Sequence, residues 1–147
     1  MRIGRYNSNP PSPLVGCECD SKVKTLIPLL YMFDFEKLDV YQVIKGNNSK
    51  ILKFIFSHLT LDLYLKDQWK RANLSIILNL AEGTGRMNNA DKKHFLTIAR
   101  SSVFESVAIL EVVNDLGFIE EAAFKEFYDN YEQISKMLLG MIRSYSQ

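Results

Sequence analysis

The chain has 147 residues, of which 47% are hydrophobic and 24% charged, and its formal net charge is +1. A chain of this size can bury one adequate core without staples, and near-neutrality by itself says nothing about a nucleic-acid partner. Cys17 and Cys19 are the only cysteines, too few to complete a four-ligand zinc site, so no metal is expected.

Met1 to Tyr31 contains the run NPPSP and a mixed polar composition with no helical period. It reads as a poorly ordered extension whose deletion should leave the rest intact. Leu14-Val15-Gly16-Cys17 has the pattern of a lipoprotein signal box, but Tyr, Asn, Ser and Pro stand where an apolar region is required. Leu26 to Phe33 is apolar yet far too short to span a bilayer. A cytoplasmic protein without a membrane partner is therefore expected.

The domain proper runs from 32 to 147. Leu38, Tyr41, Leu52, Ile55 and Leu59 predict a first helix from about Asp34 to His58, bent or frayed where Gly46, Asn47, Asn48 and Ser49 are poor helix formers. A second helix begins near Leu61, with Leu65, Trp69, Ile76 and Leu80 as its apolar stripe. Beside that stripe lies a mostly polar seam, Gln68, Ala72, Ser75, Asn79 and Glu82, at alternating spacings of four and three. Gly83 and Gly85 supply a stop through left-handed backbone angles. Asn88 caps a third helix, whose stripe is assigned to Phe95, Ile98, Ser102, Glu105, Ile109, Val112 and Leu116, with Gly117 closing it. From about Glu120 a fourth helix carries Phe124, Phe127, Tyr131, Ile134, Leu138, Met141 and Tyr145. Four helices, short connections and no alternating strands predict an all-α, antiparallel up-down four-helix bundle.

Polar residues in the seam need partners. Arg71 is expected to reach Glu105 across the second and third helices, with Gln68, Ser75 and Ser102 satisfying the groups nearby, and Asn79 and Glu82 in the same structural network. Chemistry has no visible equipment. His58 and His94 form no Glu-x-x-His pair, and neither a phosphate loop, a dinucleotide fingerprint nor a nucleophile motif occurs, so no enzyme and no cofactor are expected.

Charge is unevenly distributed. From Gln42 to Phe104 ten cations face four anions, giving +6, whereas from Glu105 onward three cations face eight anions, giving −5. Such asymmetry can make one positive and one negative surface. Lys66 and Lys70 on the second helix, Lys92 and Lys93 at the start of the third, and Lys50 and Lys53 on the first are the candidate nucleic-acid contacts. Solvated helix faces and an interaction scaffold docked on the acidic, aromatic fourth helix are the competing readings. Leu74, Ile76, Ile77, Leu78, Leu80 and Ala81 point all around the second helix, more than one bundle core can cover, which favours a homo-oligomer.

Several blocks in register carry a resemblance: MFDFEKLDVYQ at 32–42, Gln68 with Arg71-Ala72, Ser75-Ile76, Asn79-Leu80-Ala81-Glu82-Gly83 with Gly85-Arg86, Ile98-Ala99 and Phe104-Glu105. Together they resemble the bacterial four-helix bundle family first noticed as proteins encoded in intervening sequences of 23S ribosomal RNA genes. Ser101 departs from the family's usual glycine, as does the Gly46–Ser49 break. The resemblance implies a small non-enzymatic bundle. Its relatives among accessory proteins of diversity-generating retroelements imply a ring-shaped pentamer with nucleic acid and a reverse transcriptase as partners.

Overall fold

The computed structural model describes residues 33–146; the extension expected at 1–31 lies outside the described residues. A short 3-10 turn at Asp34–Lys37 leads into α1 (Asp39–Ser57), α2 (Leu63–Thr84), α3 (Asn89–Asp115) and α4 (Glu121–Ser144). Short connections reverse the chain at each step, so successive helices run antiparallel and close a four-helix bundle, with no strand among the described residues.

Local chemistry fixes the helix ends. Asp62 caps α2 by accepting the backbone N–H of Tyr64 at 2.9 Å and of Leu65 at 3.2 Å, and Asn88 caps α3 by accepting that of Asp91 at 2.7 Å. α3 ends in a Schellman turn. Gly117 has φ +72°, its N–H donates to the Asn114 carbonyl at 2.9 Å and that of Phe118 donates to the Val113 carbonyl at 3.1 Å.

The core is built from Ile44, Ile51 and Ile55 of α1, Trp69, Ile76 and Leu80 of α2, Leu96, Val103 and Leu110 of α3, and Phe127, Tyr131, Ile134 and Leu138 of α4. The stripes expected for α2 and α4 point inward. Those for α1 and α3 do so only in part: Ile55 and Ser102 are buried, and Leu38, Tyr41 and Ile109 pack against the margin of the core. α1 buries Val40, Ile44, Asn47, Asn48, Ile51 and Ile55, and leaves Leu59 outside the helix and exposed. α3 buries Leu96, Ala99, Ser102, Val103, Ser106, Leu110 and Val113, one position away from the expected series, while Glu105, Val112 and Leu116 are exposed. Both series on α3 have the right spacing, and the small residues Ala99, Ser102 and Ser106 lie in the close-packed one, where hydropathy alone undervalues them.

Two backbone expectations also change. α1 continues unbroken through Gly46–Ser49, because Asn47 and Asn48 face inward and packing outweighs their poor propensity. Gly83 is not a left-handed stop: it is buried inside α2, where an added Cβ would stand 3.0 Å from the Cβ of Phe95 on α3. Its missing side chain lets the two helices approach. Gly85 ends α2 in a right-handed conformation, φ −77°.

Candidate functional site

The polar seam at the α2–α3 edge forms a directed chain of hydrogen bonds. Ser102 Oγ donates to its own helix at the Ile98 carbonyl, 3.0 Å away, so the 2.8 Å contact between Ser75 Oγ and Ser102 Oγ has Ser75 as donor. Asn79 Nδ2 in turn donates to Ser75 Oγ at 3.0 Å and to the Ser75 carbonyl at 2.8 Å. Three members of the expected network thus meet. Glu82 instead pairs along its own helix with Arg86, whose guanidinium also lies 4.5 Å over the Phe95 ring.

Arg71 and Glu105 do not form the expected ion pair. Both are exposed and line the same open groove of about 440 Å³, together with Gln68, Ala72, Leu74, Ser75, Leu78 and Asn79. Outward placement of both charges keeps each solvated, which removes the electrostatic need for the pair. Beside them, Leu74 and Leu78 are 41% and 64% exposed, and further along α2 so are Leu63 and Tyr64 at 75% and 70%. α2 therefore presents apolar side chains both to the core and away from it.

The candidate lysines fall into separate groups. Antiparallel topology puts Lys66 and Lys70 near the α1–α2 connection and Lys92 and Lys93 on the first turn of α3 at the opposite end, on the order of 20 Å apart along the axis at 1.5 Å per residue. Lys70 pairs with Asp67 at 2.5 Å, and Lys92 lies 5.3 Å over the Tyr145 ring. Lys50 crosses to Glu126 of α4, so it faces the acidic helix and does not extend the α2 lysines. Lys53 is exposed and Lys66 half-buried. Arg100, absent from the candidate set, stacks 4.9 Å over Phe104, its Nε buried without a partner.

Sequence reasoning missed a second polar assembly at the centre of the bundle. Trp69 Nε1 donates to the Tyr131 hydroxyl at 3.1 Å, and that hydroxyl donates to Asn73 Oδ1 at 3.0 Å. Burial pushes the Tyr131 hydroxyl far above its usual range, partly offset by the Trp69 N–H that donates to it and by the neighbouring polar side chains of Ser106 and Asn47. Heptad position marks Trp69 and Tyr131 as core, but their polar tips gave no signal of a shared partner.

His58 stacks on Phe54 at 3.9 Å with Nδ1 2.9 Å from the Phe54 carbonyl, as a helix-end residue. Among the described residues no three His, Cys, Asp or Glu side chains gather as metal ligands, and no helix is long and apolar enough to cross a membrane.

The sequence profile of the 23S rRNA-intervening sequence proteins matches residues 36–140, most of the bundle. The chain belongs to that family. Among solved structures it is similar to a protein of unknown function from the S23 ribosomal protein family of Bacteroides thetaiotaomicron, with 22% identity and a TM-score of 0.65 over 70% of this chain and 97% of that one. At that identity the likeness concerns the fold. No curated protein matches the chain.

Proposed function

We propose that this family member is a non-enzymatic, oligomeric accessory protein that binds the backbone of RNA or DNA through its basic helices. The carrying observation is the segregation of charge: +6 between Gln42 and Phe104 against −5 beyond. Within the basic part, Lys45, Lys53, Lys66, Arg71, Lys92, Lys93 and Arg100 form no ion pair among the described residues. Unpaired cations release counterions when phosphates neutralise them, which drives association with little sequence preference.

The two lysine groups at opposite ends of a subunit make a poor single patch, so the reading relies on assembly. A homo-oligomer would cover Leu74, Leu78, Leu63 and Tyr64 and set the lysine groups of several subunits along one surface. Pentameric symmetry and a reverse-transcriptase partner come from family kinship. A protein-scaffold reading is favoured by one feature, the apolar groove of about 350 Å³ between α3 and α4 lined by Val103, Phe104, Val107, Tyr128, Tyr131 and Glu132.

Charge reversal tests the proposal. Replacing Lys66, Lys70, Lys92 and Lys93 with glutamate should abolish binding of labelled RNA and DNA while leaving helicity and oligomer size unchanged. Undiminished binding in that variant would reject the basic surface as the contact.

A further inference from the structure

All four helices contribute a polar side chain to the middle of the core: Asn47 from α1, Trp69 and Asn73 from α2, Ser106 from α3 and Tyr131 from α4. Asn47 is 3% exposed and Asn73 and Ser106 are fully buried. Part of the assembly is self-satisfied. Trp69 donates to Tyr131 and Tyr131 to Asn73 Oδ1, and Ser106 Oγ donates to the Ser102 carbonyl at 2.9 Å. That leaves Asn47 Nδ2, Asn47 Oδ1 and Asn73 Nδ2 with no hydrogen-bonding partner among the described residues, although the centre of a core is where an unpaired amide costs most.

The open groups define what fits. Two are donors, Asn47 Nδ2 and Asn73 Nδ2, and one is an acceptor, Asn47 Oδ1, with spare lone pairs on Ser106 Oγ and the Tyr131 hydroxyl. A metal cation would meet amide N–H groups, and an anion would find no buried cation among these residues. A small neutral molecule that both donates and accepts satisfies the set. We propose that the centre of the bundle is a hydration site, where ordered water accepts from Asn73 Nδ2 and donates to Asn47 Oδ1, tying α1 to α2 beside the Trp69–Tyr131 pair. Water then supplies the hydrogen bonds that keep α1 helical and docked through Gly46–Ser49, where its own residues are weak helix formers.

A crystal structure of the full chain at better than about 2 Å should show a solvent peak within about 3.2 Å of both Asn47 Oδ1 and Asn73 Nδ2. Trp69 is the only tryptophan, so its emission reports on the same place in solution. Asn47→Leu, which fills the space with a side chain that cannot hold water, should remove the peak and shift that emission to shorter wavelength. An Asn47 amide bonded directly to Tyr131, Ser106 or Asn73 with no solvent density between them would overturn the proposal. So would identical Trp69 emission in the parent and Asn47→Leu proteins.

Discussion

Two polar regions of this bundle have opposite economies. At the α2–α3 edge, Asn79, Ser75 and Ser102 pass hydrogen bonds from one to the next, and the nearby charges of Arg71 and Glu105 face solvent. At the centre, Asn73, Trp69 and Tyr131 depend on one shared hydroxyl. A group at the edge that loses its partner regains bulk water, whereas one at the centre has only its buried neighbours and ordered water fixed in place to turn to. Density of polar residues in the sequence therefore does not report how much each is worth.

The sharpest test of that contrast is Tyr131→Phe. It leaves the Trp69 N–H and the Asn73 side-chain carbonyl without their hydroxyl partner in the core, and should lower stability by about 2–6 kcal/mol in a denaturant titration, from two such groups at roughly 1–3 kcal/mol each. Gly83→Ala should cost about 1–3 kcal/mol by overpacking, since its Cβ would press on the Cβ of Phe95, which cannot swing aside. Ser102→Ala removes two bonds at the edge, one from Ser75 and one to the Ile98 carbonyl of its own helix, and should cost about 1 kcal/mol because Ser75 can turn to solvent and the Ile98 carbonyl keeps its helical bond. Glu105→Ala should leave the melting temperature of the folded subunit unresolved from the parent, because the exposed carboxylate has no ion-pair partner among the described residues. A large loss there, or a neutral Tyr131→Phe, would erase the distinction between the regions.

Alkaline titration sharpens the same point. Burial raises the Tyr131 hydroxyl pKa above its ordinary value of about 10, so the unfolded chain ionises first. Its contribution is fully present below about pH 10 and is lost as pH rises toward the folded-state value. Tyr131→Phe should remove that part of the alkaline destabilisation.

Much of the architecture was legible because α2 and α4 carry clean stripes and α3 has strong end signals in Asn88 and Gly117. The stripe of α3 was legible only at Ser102, since two neighbouring series share its spacing and Ala99 and Ser106 win their place by being small. On α1, low helix propensity at Gly46–Ser49 suggested bending or fraying within one helix, but the helix runs through with Asn47 and Asn48 buried. At the seam, spacing grouped Ser75 and Ser102, which do lie within hydrogen-bonding distance, around an Arg71–Glu105 pair, yet it could not tell that Arg71 and Glu105 are both exposed. The central cluster escaped notice for a related reason: residues 58 and 62 positions apart share one hydroxyl, and no local pattern encodes such a meeting.

The functional claim stands or falls on salt. Labelled RNA and unrelated DNA should be titrated with the assembled protein at about 50 and 200 mM salt. If each subunit of a five-membered ring neutralises even one phosphate, affinity should drop by about a hundredfold or more across that range, with a similar slope for unrelated sequences. Failure to bind either nucleic acid at the lower salt would contradict the account and promote the protein-scaffold reading in its place.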